Sequence, residues 1–180
     1  MAISLKAKAN WTSAYIPLLL LSAMGIAISA MYAANLRINW TPSEPRGIYQ
    51  VKPISAGINR GDLIEFCYGG AKGPYMTRGV CPNNTAPFLK QVVGVPGDLV
   101  VVGDAGVMVN GRLLPESRPL RYSVSDPDYA LPVLRGRFLL GPGQYWTYGS
   151  GMPSRSFDSR YFGAVDLASI RSVSTLQSKY

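Results

Sequence analysis

The spacing of hydrophobic and polar positions divides the chain into two regimes. From Ala9 to Leu36 there are 28 residues without a charge, most apolar from about Ala14 to Ala34. A helix of about 20 such residues covers the roughly 30 Å hydrocarbon core of a bilayer. The stretch therefore predicts a membrane-spanning helix, with Pro17 in its first turn, where a missing N–H does least harm. Lys6 and Lys8 before it favour a cytoplasmic N-terminus, against the weaker pull of Arg37 and Arg46 beyond it. Ala27-Ile28-Ser29 also fits the end of a cleaved signal peptide, and either reading exports residues 37–180.

Beyond Tyr49 the period shortens to that of β-strands. Short apolar or alternating runs predict strands over Ile48–Val51, Leu63–Tyr68, Phe88–Val95, Leu99–Val102, Val107–Val109, Phe138–Leu140, Tyr145–Tyr148, Gly163–Val165 and Ile170–Val173. Turn residues separate them: Pro96-Gly97-Asp98, Asn110-Gly111 and Gly141-Pro142-Gly143. Gly69–Pro87 and Leu113–Arg135 are rich in Gly, Pro, Ser and Asp and read as surface insertions. The expected fold is mainly β, a compact antiparallel domain over 37–180 behind an anchor or signal segment over 1–36.

The composition narrows the chemistry. With no histidine among 180 residues, Ser-His-Asp and Cys-His machinery and histidine-based zinc sites are excluded, and no metal or cofactor is expected. The net charge of +8 is scattered along the chain instead of gathered in a stripe, which suits an anionic membrane surface better than nucleic acid. Cys67 and Cys81 are an even pair in an exported domain, so a structural disulfide is expected, with two buried free thiols as the alternative.

A nucleophilic serine in such a chain needs lysine as its base. Ser43 lies between Pro42 and Pro45, which stiffen the backbone on both sides, with Gly47 allowing a close turn. Lys90 lies within an apolar strand, where burial lowers an ammonium pKa and makes a usable base. Taken singly, each has a plainer explanation: a Pro-rich connector after an anchor, and a lysine reaching to solvent from an edge strand.

Three stretches together carry a resemblance. Thr41-Pro42-Ser43, Lys90-Gln91-Val92-Val93-Gly94-Val95-Pro96-Gly97-Asp98 and Ser156-Phe157-Asp158-Ser159-Arg160-Tyr161-Phe162-Gly163 resemble, in order and spacing, the signature boxes of S26 signal peptidases. The resemblance implies a Ser-Lys dyad, with Ser43 as nucleophile and Lys90 as general base. It further implies an oxyanion hole from Thr41 and the Ser43 amide, and Ser156 orienting the lysine. By the same resemblance Asp158 and Arg160 hold the third segment in place, with a direct action of Asp158 on the dyad as the alternative.

Two departures narrow the resemblance. Glu44 follows the serine, with Pro45 two positions on, where leader peptidases have Met and a proline three positions on. The Gly-Asp-Asn usual before the third box is absent, with Gly151-Met152-Pro153 nearby instead. The chain is in this respect similar to the TraF branch, conjugal-transfer peptidases that trim a pilin precursor and join its ends. The implied partners are a pilin precursor, membrane lipid and other proteins of a conjugation apparatus. The implied location is the bacterial inner membrane with the domain in the periplasm, or the periplasm alone if the segment is cleaved. A general type I leader peptidase and a non-enzymatic envelope component are the alternatives. Self-cleaving repressors share a Ser-Lys dyad but carry a DNA-binding domain where this chain has an apolar segment. Eight residues, Asn35–Pro42, separate that segment from Ser43 and reach no more than roughly 30 Å, which places the serine near the bilayer.

Overall fold

The computed structural model describes residues 11–40, 42–73 and 76–179. Backbone contacts divide the chain between Leu36 and Arg37. The first unit contains α1 (Trp11–Ala33), whose portion Tyr15–Ala33 is long and apolar enough to cross a membrane, with a mean hydropathy of 1.9. Its start corrects one expectation. The uncharged residues from Trp11 onward join the helix, so Pro17 lies inside it and not in its first turn. There it withholds an N–H from the carbonyl four residues earlier.

The second unit is built from antiparallel strands: β1 (Leu36–Asn39), β2 (Gly47–Lys52), β3 (Leu63–Phe66), β4 (Phe88–Gly94), β5 (Leu99–Gly103), β6 (Gly106–Val109), β7 (Arg112–Leu113), β8 (Gly136–Leu139), β9 (Gln144–Tyr148), β10 (Val165–Asp166) and β11 (Ile170–Lys179). Among the described residues they form a seven-stranded sheet in the order β1-β2-β11-β3-β4-β9-β10 and a four-stranded sheet in the order β7-β6-β5-β8. The buried apolar side chains form two clusters. Ile64, Phe66, Val92, Tyr145, Val165, Ile170 and Val173 of the larger sheet form one; Val100, Val102, Val107 and Val109 of the smaller sheet form the other with Leu140 and with Trp146 from β9 of the larger. Burial alternates along β4 and β5, as expected for strands with one face on a core.

Local chemistry explains the turns. Asn110 and Gly111 both adopt positive φ, 50° and 80°, the geometry of a tight hairpin that pairs Val109 with Arg112. Arg60 binds Asp98 through both Nη atoms at 2.5 and 2.6 Å and donates to the Val93 carbonyl at 2.8 Å. Asp98 in turn accepts from the Val95 N–H and the Asn110 side chain. The aspartate ending the second box thus fastens the β4–β5 turn to the hairpin and to the loop before β3.

Three differences from the sequence expectations have physical reasons. β11 runs ten residues because it has partners on both sides, β2 and β3, and continues along β2 as far as Lys179. The strand expected at Gly163–Val165 reduces to β10, since Ser159–Phe162 forms a short helix, α2, that ends at Gly163 with φ of 84°. β1 breaks away from the apolar segment as a short strand at the edge of the sheet. Beyond Leu113, which ends β7, the described residues of the two insertions pair through isolated bridges, Arg78 to Thr85 and Tyr122 to Ala130, and the first is closed by the Cys67–Cys81 disulfide, with Cα atoms 5.5 Å apart.

Candidate active site

The loop carrying Ser43 is tied at both ends by the strands that flank it. Asn39, at the end of β1, donates from its side-chain amide to the carbonyls of Glu44 and Pro45, both at 3.2 Å. The Tyr49 hydroxyl, from β2, donates to the Pro45 carbonyl at 2.7 Å. Across the loop, the Gly151 N–H donates to the Ser43 carbonyl at 3.2 Å. Prolines have no N–H to contribute, so these side chains supply the bonds that hold the turn. Thr41, expected at the oxyanion hole, lies outside the described residues.

Lys90 stands in the middle of β4, opposite Ile64 of β3, and is 6% exposed. Its ammonium does not reach solvent along an edge strand; it turns inward, with Nζ 3.8 Å from Glu44 Oε1. A methyl group added to Gly149 would lie 3.5 Å from Lys90 Nζ and would overlap Ser156 Oγ. A methyl group on Gly151 would meet the Pro42 carbonyl at 2.5 Å and the Glu44 backbone at 2.7 Å. Two glycines thus let one turn pass between the serine loop, the lysine and the third box. In the sequence Gly151 stands out only as part of a departure from the family pattern.

The third box forms a buried polar knot. Asp158 is fully buried and caps α2. Its Oδ1 accepts from the Arg160 N–H at 3.2 Å and Nε at 2.8 Å, and its Oδ2 from the Gly149 N–H at 3.0 Å and Arg160 Nη2 at 2.9 Å. Four donors occupy both carboxylate oxygens, which leaves Asp158 engaged in holding the Gly149 turn and α2. Arg160 also donates through Nη2 to the carbonyls of Pro153 and Ser156, and its guanidinium carbon sits 5.2 and 5.3 Å from the ring centres of Tyr148 and Tyr161. Ser159 fixes the box to β9 by bonds to the Thr147 N–H and hydroxyl at 2.8 and 2.9 Å. The Ser156 hydroxyl donates to the Met152 carbonyl at 2.9 Å, so it acts on the turn beside Lys90.

The second insertion is part of this knot. Leu134 donates its N–H to the Arg160 carbonyl, the Tyr161 hydroxyl accepts from the Leu120 N–H, and the Tyr148 hydroxyl donates to the Pro115 carbonyl. A segment whose composition reads as surface loop therefore braces α2.

Glu44 is a site residue that the sequence pattern does not reveal. It is 1% exposed, faces Lys90 through Oε1 and accepts from the Ser150 hydroxyl through Oε2 at 3.2 Å. Burial pushes its carboxyl up to about 8, against the opposing pull of Lys90 and Ser150 and with a further push from Asp158. Burial likewise pushes Tyr49 up to about 12, helped by Glu44. A glutamate in a Pro-rich stretch carries no periodic signal of burial, so only its place next to the serine points to it.

The profile of signal peptidases, peptidase S26, matches residues 8–177. A probable conjugal transfer protein TraF of Sinorhizobium fredii is 36% identical, over 86% of this chain and 85% of its own. A plasmid transfer protein TraF of Escherichia coli is 34% identical, over 80% of this chain and 83% of its own. A solved signal peptidase I from Enterococcus faecalis, 25% identical, covers 68% of this chain and 97% of its own with a TM-score of 0.37. The family match runs from before α1 nearly to the end of β11 and takes in every segment that builds this site: the chain belongs to the peptidase S26 family of signal peptidases.

Proposed function

We propose that the chain is a membrane-associated serine endopeptidase in which Ser43 is the nucleophile and Lys90 its general base, and that it processes an exported pilin precursor for conjugative transfer. The observation that carries this reading is the burial of Lys90 beside the serine loop, at 6% exposure and with its amine turned into the site. An amine turned toward the serine loop is placed to accept a proton from a hydroxyl. Membership of the S26 family and the absence of histidine support the same assignment.

In the proposed reaction Ser43 Oγ attacks the scissile carbonyl while its proton passes to Lys90 Nζ. The developing oxyanion is met by the Ser43 N–H and Thr41. Collapse expels the amine of the downstream fragment, which takes the proton from Lys90, and leaves an ester on Ser43. Water then releases a free carboxylate. Alternatively the precursor's own N-terminal amine attacks and closes a ring, an outcome favoured where the site excludes water. Asp158, Arg160 and Ser156 hold the Gly149 turn against the lysine. The names of the relatives, conjugal and plasmid transfer proteins, support the pilin substrate and a place among the proteins of a conjugation apparatus. The apolar α1 supports attachment to the inner membrane, with Lys6 and Lys8 on the cytoplasmic side and residues 37–180 in the periplasm.

Co-expression with a pilin precursor, followed by intact-mass measurement, tests the proposal. A product shortened at its C-terminus and one water lighter than the linear fragment is expected. Unprocessed precursor in the presence of the folded full chain would overturn the reading.

A further inference from the structure

Among the described residues, Glu44 Oε1 is one of three buried side-chain polar atoms that meet no hydrogen-bond partner. The contact of Oε2 with Ser150 accounts for half of this carboxyl; a glutamine would serve that contact equally well. The other oxygen is aimed at the lysine, 3.8 Å away, from a side chain 1% exposed. A buried carboxyl and a buried ammonium at this distance do not lose protons independently: the steps belong to the pair. We propose that Glu44 is a positioning residue that shares the site's proton with Lys90, so that the pH dependence of the reaction belongs to the Glu44–Lys90 pair and not to one group alone. This rests on the reading of Lys90 as the base for Ser43.

The groups that face Glu44 from the surrounding elements are few. Lys90 comes from β4, Ser150 from the turn after β9, and Tyr49 from β2, its hydroxyl bound to the Pro45 carbonyl. Asp158 acts from the start of α2, with its charge matched by Arg160. The cation facing the carboxyl is thus Lys90. When Glu44 is ionised it stabilises the lysine ammonium and withholds the base. When burial keeps the carboxyl protonated, Lys90 faces a neutral group and can lose its proton. Burial, which favours the neutral carboxyl, therefore decides whether the amine beside it faces a charge.

The test is the pH–rate profile of the full chain in detergent micelles, with a nitrophenyl acyl ester as probe, for the wild type, Glu44→Gln and Glu44→Asp. Glutamine removes the ionisable partner but keeps a group that can accept from Ser150. Its acid limb is expected to move at least one unit to lower pH, about a tenfold faster rate at a given pH on the limb, and to follow a single ionisation. The aspartate substitution keeps a carboxyl on a shorter stem, so Glu44→Asp is expected to retain the wild-type limb at a lower plateau. A Glu44→Gln profile that coincides with the wild type in position, or falls evenly at every pH, would overturn the proposal and leave Glu44 a structural contact to Ser150. The second readout needs no turnover. The Glu44 carboxyl is titrated by NMR in Ser43→Ala and in Ser43→Ala with Lys90→Met. Its midpoint is expected to rise when the lysine charge is removed, and an unchanged midpoint would overturn the coupling. Turnover surviving in Lys90→Ala would instead remove the dyad itself, an outcome distinct from any of these.

Discussion

Asp158 and Arg160 face each other across the first turn of α2 with 0% of either side chain exposed. The aspartate takes two bonds from the guanidinium and a third from the Gly149 N–H, and so holds the turn beside Lys90. Asp158→Ala would leave a buried guanidinium without its counter-charge, at a loss of about 3–5 kcal/mol. Thermal unfolding is expected to show that loss, and Arg160→Lys is expected to be destabilised too, since an ammonium cannot reproduce the two-pronged contact. Near wild-type stability in Asp158→Ala would contradict the knot described here.

The proposed dyad predicts a pattern among three substitutions. Ser43→Ala and Lys90→Ala are each expected to abolish precursor processing while the chain stays folded and in the membrane. Lys90→Arg is expected to fail as well, because a guanidinium remains protonated and cannot accept a proton from a hydroxyl. Processing of the precursor, followed on gels over hours, is the measurement; activity in Lys90→Arg would rule out general-base action by this residue.

Glu44 carries a stability prediction separate from catalysis. Its carboxyl sits at about 8 in the folded chain against an ordinary value of 4.5, so the folded state binds the extra proton between those limits. Stability from this group is complete below about 4.5 and declines as pH rises through about 8. Glu44→Gln does not ionise. Its melting temperature relative to the wild type is expected to climb between about pH 5 and about pH 9, and a difference that stays flat across that range would argue against the raised carboxyl.

The Cys67–Cys81 bond closes the first insertion over a sequence separation of 14. A ring of this size limits the unfolded chain by about 3 kcal/mol. Cys67→Ser is expected to lower unfolding stability by about that amount, with a smaller effect on the turnover of the molecules that remain folded. Thiol titration without reductant, on protein prepared from the cell envelope, is expected to find neither cysteine free.

Several elements follow from the order of residues alone, because the interactions that produce them are local. The long uncharged, apolar stretch yields α1 over Trp11–Ala33, and Asn110-Gly111 makes a hairpin because both positions tolerate positive φ. The alternating runs at Phe88–Gly94 and Leu99–Gly103 make strands whose buried faces are set by the pleat. The three boxes are readable in the same way, as short strings of residue types. What those strings do not contain is the partner of each side chain. Glu44 and Ser150 are 106 positions apart, and nothing in Pro42–Pro45 marks a carboxyl that will be buried facing a lysine. The bracing of α2 by Leu120 and Leu134 and of β9 by Pro115 is equally invisible in a loop-like composition, and the length of β11 depends on its having two neighbours. Burial, and with it the pKa of a group, is a property of what packs around a residue. Only the packed tertiary structure, with Gly149 against Lys90 and Ser156 and Gly151 against the serine loop, decided that Glu44 and Lys90 face each other away from solvent.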